Sequence, residues 1–182
     1  MQALYTTTTM TAVADEEVFT RLLDQHAGII RKVAFGYTNT FADRQDLTQE
    51  ITLQLWRAYP RYSSDRPFST WMYRIALNVA ISFLRRHTHP VRQTLSLEEN
   101  EIELVDETAG NSESDERIPL LQQVIASLPA LDRGLMLLYL DDHSYCEIAA
   151  ILGFSETNVA TKLNRLKQRV REAITKLNQR IS

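Results

Sequence analysis

The chain reads as all-α, built as two small helical domains joined by a flexible acidic linker, and three observations predict this. Apolar residues recur at helical spacing in two separate blocks, whereas no stretch shows convincing period-two alternation. Between the blocks, residues 88–117 are rich in acid and poor in large apolar side chains. Self-repulsion and low hydrophobicity keep such a segment from building a core. A short acidic surface helix around Leu95 to Leu104 is the other reading of that stretch.

Before the first block, residues 1–14 are rich in Thr and Ala without periodicity, which predicts a disordered tail. From Asp15, the residues Val18, Leu22, Ile29, Ile30, Val33 and Ala34 set a helical core face about two helices long. Asn39 and Thr40 offer N-cap oxygens, with Asp43 placed to complete a capping-box-like start. The helix so begun ends near Tyr59, because Pro60 cannot continue it. A polar loop, 60–67, leads to a strong helix from Phe68 to Arg86, with Phe68, Met72, Ile75, Val79 and Phe83 as its core stripe. After the linker, helices are expected at Pro119–Leu128, Pro129–Leu140, Tyr145–Leu152 and Ser155–Asn178. The domains so drawn are 15–87 and 118–182.

Composition narrows the function. The chain has 182 residues, 44% of them hydrophobic and 24% charged, an ordinary globular balance. Its one cysteine, Cys146, excludes a disulfide framework, and with no evident base partner it reads as a packing residue. No apolar run approaches the ~18 residues that would span a bilayer. The N-terminus lacks the basic start and apolar stretch of an export signal, so a soluble, cytoplasmic protein without membrane insertion is expected. His87 and His89 lack a third ligand at metal spacing, and there is no phosphate-cradling glycine loop or nucleophile elbow. Neither an enzyme nor a cofactor is expected.

Charge is distributed unevenly. The net charge is −3. Residues 1–90 carry ten basic against eight acidic side chains, 91–118 two against nine, and 119–182 eight against six. Within the last block, residues 155–182 hold seven basic and two acidic groups. An anionic partner is therefore expected at the C-terminal end.

Three surfaces carry the functional signal. Around residues 145–159, Ala149 is small where helices would cross, Gly153 sits at the turn, Ser155 caps and Val159 returns to the core, which is helix-turn-helix spacing. On the second helix, Val159, Leu163, Leu166 and Val170 share one face. Opposite them lie Thr157, Thr161, Asn164 and Gln168, short hydrogen-bonding side chains suited to base edges. Lys162, Arg165, Lys167, Arg169 and Arg171 flank that face where phosphates would lie. An ordinary amphipathic helix with a solvated basic face is the bland alternative.

On the Phe68–Arg86 helix, Arg74, Asn78 and Arg85 share another face, and Trp71 and Tyr73 stand near Tyr62. Cations interleaved with rings suit single-stranded nucleic acid, although at least one of Trp71 and Tyr73 reads equally as core. Around Asp46, the residues Leu47, Ile51 and Ala58 point inward, and Gln49, Leu53 and Trp56 point roughly the other way. That outward Leu and Trp beside polar groups form either a protein-binding patch or packing against the N-terminal helices.

Taken together and in order, these pieces resemble the extracytoplasmic-function (ECF) group of sigma factors in the sigma-70 family. Asp46-Leu47-Thr48-Gln49-Glu50 with Leu55-Trp56 is similar to region 2.2, and Phe68 to Ala80 with Leu84-Arg85-Arg86 to regions 2.3 and 2.4. Leu128-Pro129, Glu147-Ile148-Ala149, Leu152-Gly153 and the basic helix are similar to region 4. The likeness covers about residues 16–87 and 118–178. It implies a transcription initiation factor that binds core RNA polymerase, at the β′ clamp helices and β flap, and recognises and melts promoter DNA, with an anti-sigma factor as a further partner.

By the same resemblance, Asp46, Leu47, Gln49, Glu50, Leu53 and Trp56 would bind polymerase. Arg61, Tyr62, Arg66, Trp71, Arg74, Asn78, Arg85 and Arg86 would serve the −10 element, with the 60–67 loop capturing a flipped base. Thr157, Thr161, Lys162, Asn164, Arg165, Gln168 and Arg169 would serve the −35 element. The linker, which in the family lies in polymerase channels, is here acidic and is expected to mimic nucleic acid. Ser82 stands where relatives often carry an acid, and Thr161 and Asn164 depart from the usual recognition-helix residues, so the promoter bases stay unread. A conventional helix-turn-helix regulator, or a sigma-like adaptor that engages polymerase without reading DNA, are the rival readings.

Overall fold

The structure, a computed structural model, describes residues 16–87 and 123–181, with side chains through Lys176. The expected tail, acidic linker, His89 and the start of the helix from Pro119 lie outside the described residues. Within them the chain is helical and contains no strand.

The N-terminal unit is α1 (residues 16–25), α2 (Ala27–Tyr37), α3 (Phe41–Ala58) and α4 (Phe68–His87), with a 3₁₀ turn at Tyr59–Arg61 where Pro60 ends the α3 ladder. Thr40 caps α3 by accepting from the Asp43 backbone N–H at 3.1 Å. The Asp43 carboxylate takes the Thr40 hydroxyl rather than the backbone N–H that a full capping box would supply. The C-terminal unit follows a helical turn at 123–126 and comprises α5 (Ala130–Leu140), α6 (Tyr145–Leu152) and α7 (Glu156–Ile181). A capping box closes on α6: Ser144 accepts from the Glu147 N–H, and the Glu147 carboxylate receives the Ser144 N–H at 2.8 Å.

Several core assignments shift. Val18 is exposed, and Phe19 is buried in its place with its ring against Trp56 and Tyr59 at 5.3 and 4.6 Å. The larger ring removes more apolar area from water and finds tilted and edge-on partners. Leu55 rather than Ala58 completes the inward face of α3 with Leu47 and Ile51. On α4 the buried stripe is rotated: Ile75 and Val79 are half-buried, while Tyr73, Ala76, Leu77 and Ala80 are buried. Cys146, expected as packing, is exposed, because Ile148 and Ile151 form the buried face of α6.

The rotation of α4 has a cause in tertiary structure. The two units are not separate globules among the described residues; their buried side chains form one continuous cluster. Helix α2 packs on α5, and α4 packs on both α5 and α6. Tyr37 crosses the boundary, donating to the Ala130 carbonyl at 2.6 Å. A Cβ on Gly134 would stand 2.8 Å from the Tyr37 hydroxyl and 3.3 Å from Leu77, and one on Gly36 would stand 2.5 Å from Leu137. At Gly134 a methyl would meet the stiff Tyr37 ring, whereas at Gly36 it would displace the flexible end of Leu137. The buried Arg133 lies over the Tyr37 ring and donates to the Gly36 and Ala126 carbonyls.

At the other end of the boundary, Asp141 receives Lys32 of α2 and the Tyr73 hydroxyl of α4. His143 stands 3.7 Å from Asp141 and 4.0 Å from Glu147, with its ring edge-on to Tyr73 at 4.9 Å. Desolvation alone would raise the Asp141 pKa. The hydrogen bonds from Lys32 and Tyr73 and the charges of Lys32 and His143 outweigh it and hold the carboxyl below its ordinary value. Tyr73 is pushed up, first by burial and then by Asp141.

Two outcomes are expected. Gly134→Ala gains helix propensity of ~0.5–1 kcal/mol but drives a methyl into a rigid ring, so a net loss of about 1–2 kcal/mol is expected in urea unfolding. The Asp141 contribution is present above the ordinary carboxylate pKa of ~3.9 and lost as pH falls through the lowered folded value; that of Tyr73 is present below ~10 and lost only as pH rises through its raised value. The urea-midpoint difference between the native chain and Asp141→Asn should therefore be flat from about pH 5 to 9 and shrink in stronger acid.

Candidate polymerase and nucleic-acid interface

The helix-turn-helix is built as the spacing demanded. Gly153 adopts φ 73°, a left-handed conformation that glycine reaches without a Cβ penalty. Its N–H and that of Phe154 both return to the Ala149 carbonyl, at 2.9 and 3.1 Å, which satisfies the end of α6. Ser155 accepts from the Asn158 N–H at 3.3 Å and so caps α7. Val159, Leu163, Leu166 and Val170 are all buried, each worth about 1.5–3 kcal/mol of transfer free energy. That seam fixes the rotation of α7, and Thr157, Thr161, Asn164, Arg165 and Gln168 consequently face solvent. Two basic side chains lie along apolar surface, Lys162 with its ammonium 5.7 Å from the Phe154 ring and Lys167 4.9 Å from Tyr139. Arg169 is engaged by Asp132 at 3.2 Å, and Gln168 donates to Glu172.

On the N-terminal unit the rings gather. Tyr62 stacks near Tyr59 at 6.2 Å and meets Phe68 and Trp71 at 5.4 and 5.1 Å. Its hydroxyl closes the 60–67 loop by donating to the Arg66 carbonyl at 2.9 Å. Trp71 is half-buried with this group, whereas Tyr73 is buried against the C-terminal unit, so of the two rings Tyr73 is the core residue. Arg61, Arg66, Arg74, Asn78 and Arg85 are exposed. Arg86 is held by Glu50, its Nη2 donating to both carboxylate oxygens at 2.7 Å, an ion pair that joins α4 to α3.

On α3, Asp46, Gln49, Leu53 and Trp56 are exposed, Leu53 and Trp56 each at 46%. The outward-facing reading of this face therefore holds, although Trp56 also rests one edge on Phe19. Leu47 is a correction: it is fully buried, so its side chain anchors α3 on the core and offers no surface to a partner.

Sequence reasoning missed the residues of the boundary between units: Lys32, Gly36, Tyr37, Arg133, Gly134, Asp141 and His143. The available signals were the two glycines inside apolar helices and the composition of α5, which is apolar on more than one face. Among the described residues no cluster of His, Cys, Asp or Glu is arranged to hold a metal, and no helix is long and apolar enough to cross a membrane.

An all-helical chain with a basic helix-turn-helix, an exposed basic and aromatic helix and an outward Leu/Trp face defines a class of DNA-reading protein with a second, protein-facing surface. Comparison identifies the family. Residues 22–89 match Sigma-70 region 2 and residues 119–170 match Sigma-70 region 4. The chain is 29% identical over 171 residues to the RNA polymerase sigma factor CnrH of Cupriavidus metallidurans, covering 87% of each. It is 27% identical over 175 residues to the ECF sigma-E factor of Escherichia coli strain K12, covering 91% of each. Against the ECF sigma factor SigE of Mycolicibacterium smegmatis it is 27% identical, covering 85% of this chain and 61% of that longer protein. Its fold is similar to CnrH in complex with the cytosolic domain of CnrY (TM-score 0.63, 21% identity, 92% of this chain and 94% of that one). It is also similar to RpoE in complex with the anti-sigma factor NepR from Bartonella quintana (TM-score 0.69, 18% identity, 87% and 98%). The chain belongs to the sigma-70 family, in its ECF group.

Stability and reading should separate on α7. Leu163→Ala is expected to cost about 2–4 kcal/mol in chemical denaturation, by lost transfer energy and a cavity. Thr161→Ala, on the exposed face, should stay within ~0.5 kcal/mol.

Proposed function

We propose that this chain is an ECF sigma factor that binds core RNA polymerase, recognises −10 and −35 promoter elements and promotes melting, without catalysis of its own. The observation that carries the reading is the coexistence, on one chain of this family, of an exposed polar and Leu/Trp face on α3 and two exposed DNA-suited faces on α4 and α7. Asp46, Gln49, Leu53 and Trp56 are the polymerase contacts, on the β′ clamp helices, and the C-terminal unit meets the β flap. Glu50 joins them through its grip on Arg86, which sets the end of the −10 helix. Tyr62 and Trp71 provide stacking surface for bases of the opened strand, and Arg61, Arg66, Arg74, Asn78 and Arg85 meet its backbone and edges. Thr157, Thr161, Asn164 and Gln168 read the −35 major groove, flanked on phosphates by Lys162, Arg165 and Arg169. Its place of work is the cytoplasm, where polymerase and chromosome are. An anti-sigma factor is a fitting regulator, since the fold is similar to that of a sigma factor held by one.

The test is run-off transcription by core polymerase on a pool of promoter fragments from the source genome. Specific transcripts are expected only with the protein present, falling at least ~10-fold when Asp46 and Gln49 are changed to Ala, since hot-spot contacts are worth ~1.4 kcal/mol or more. No transcript despite a core complex would leave a sigma-like adaptor. DNA binding without a core complex would leave a conventional regulator. On an active promoter, Arg165→Ala should weaken binding across sequences and reduce the salt slope by about one, whereas Asn164→Ala should cost ~1–3 kcal/mol at particular bases.

A further inference from the structure

Arg133 is a buried cation to which the described residues supply no acid. It is 6% exposed. Its Nη1 donates to the Gly36 carbonyl at 3.4 Å and its Nη2 to the Ala126 carbonyl, and the guanidinium lies 5.5 Å from the centre of the Tyr37 ring. Its Nε is closed off from solvent and has no hydrogen-bond partner among the described residues. No ion pair among those residues includes it. Asp132, its neighbour in sequence, is engaged by Arg169 at 3.2 Å instead. An arginine keeps its charge, and a buried charge met only by dipoles is costly. Burial accordingly lowers the Arg133 pKa. An anion nearby would offset that cost.

The residue stands in the wall of a cleft of about 410 Å³ between the C-terminal half of α4 and the turn that leads into α5. Ile81 and Leu84 line it from α4, and Leu128 and Pro129 from the turn, with the exposed Arg85 also on its border. The same cleft contains the start of α5. There the N-cap is Pro129, which has no side-chain oxygen, so the first N–H groups of the helix lack a side-chain acceptor. An uncapped helix start carries partial positive charge and several donors pointing one way. Two positive features of separate origin, a buried guanidinium and an open helix start, therefore border walls that are mostly apolar. Ligand clefts run from ~300 to ~1,000 Å³, and this one is at the small end. Its chemistry suits one negative charge on a compact apolar body.

We propose that this cleft binds a small amphipathic monocarboxylate, its anionic head beside Arg133 and the start of α5, its apolar body along Ile81, Leu84 and Leu128. The guanidinium acts on the head through charge that water does not screen, and the helix N–H groups supply the hydrogen bonds. The site stands on these contacts alone and needs no part of the sigma-factor reading.

The experiment is calorimetric titration of the full native chain at neutral pH with octanoate below its micellar range. Octanol, which has the apolar body without the charge, and inorganic phosphate, which has charge without the body, are the partial probes. One saturable octanoate site per chain is expected, with either partial probe at least about tenfold weaker. Replacing Arg133 would also cut the two carbonyls it holds, so the variants are made at the half-buried Ile81. Ile81→Gln and Ile81→Glu remove the same apolar contact, but only Ile81→Glu brings a carboxylate of its own to the cleft. Octanoate binding is expected to fall at least about tenfold further in Ile81→Glu than in Ile81→Gln, with helicity unchanged. If either variant loses helicity, the probe comparison on the native chain decides alone. No saturable octanoate binding to that chain, equal binding of a partial probe, or equal loss in two folded variants would overturn the site. So would octanoate binding that emerges only once Glu98, Glu99, Glu101 and Glu103 are changed to Gln.

Discussion

Tyr37 and Gly134 meet at a distance that leaves no room for a methyl group, and the architecture of the described residues depends on that crossing of α2 and α5. The ring is buried on three sides: its hydroxyl donates to Ala130, the Arg133 guanidinium lies over its face, and Leu77 of α4 closes on Gly134 beside it. Burial pushes the Tyr37 hydroxyl pKa well up, so it stays a neutral donor throughout the physiological range. A helix pair that touches backbone to ring transmits position closely, because interiors packed at this density yield little. Together with the Tyr73–Asp141 hydrogen bond and the apolar cluster across the boundary, it sets α4 against α5 and α6.

That contact also bears on where the exposed polar side chains of α4 lie. On α4 the buried arc is widened toward Tyr73 and Leu77, which leaves Arg74, Asn78 and Arg85 outside on the remaining arc. On α7 the seam of Val159, Leu163, Leu166 and Val170 is tight enough that the opposite face is left wholly to polar residues. Charged groups then settle by local pairing. Arg86 with Glu50 and Arg169 with Asp132 are surface pairs of modest stabilising effect, ~0–1 kcal/mol. Such pairs orient a cation without trapping it.

The sequence by itself determined several of the helix ends and the recognition seam, because these rest on local physics. The 3.6-residue period placed Leu163 and Thr161 on opposite faces, Gly153 stood where positive φ was needed, and Pro60 had to end a helix. The outward face of Gln49, Leu53 and Trp56 was legible for the same reason, although whether a second element covered it was not. Only the tertiary structure decided that Val18 yields to Phe19, that Leu47 is inaccessible, that Cys146 is exposed, and that Tyr73 belongs to a boundary rather than to a DNA surface. Each of these depends on a neighbour distant in sequence: Trp56 for Phe19, Asp141 for Tyr73. Periodicity shows which side of a helix is apolar; it does not show how many sides are covered. Helix α5 is apolar around much of its circumference, and the packing of α2 and α4 against it covers those faces.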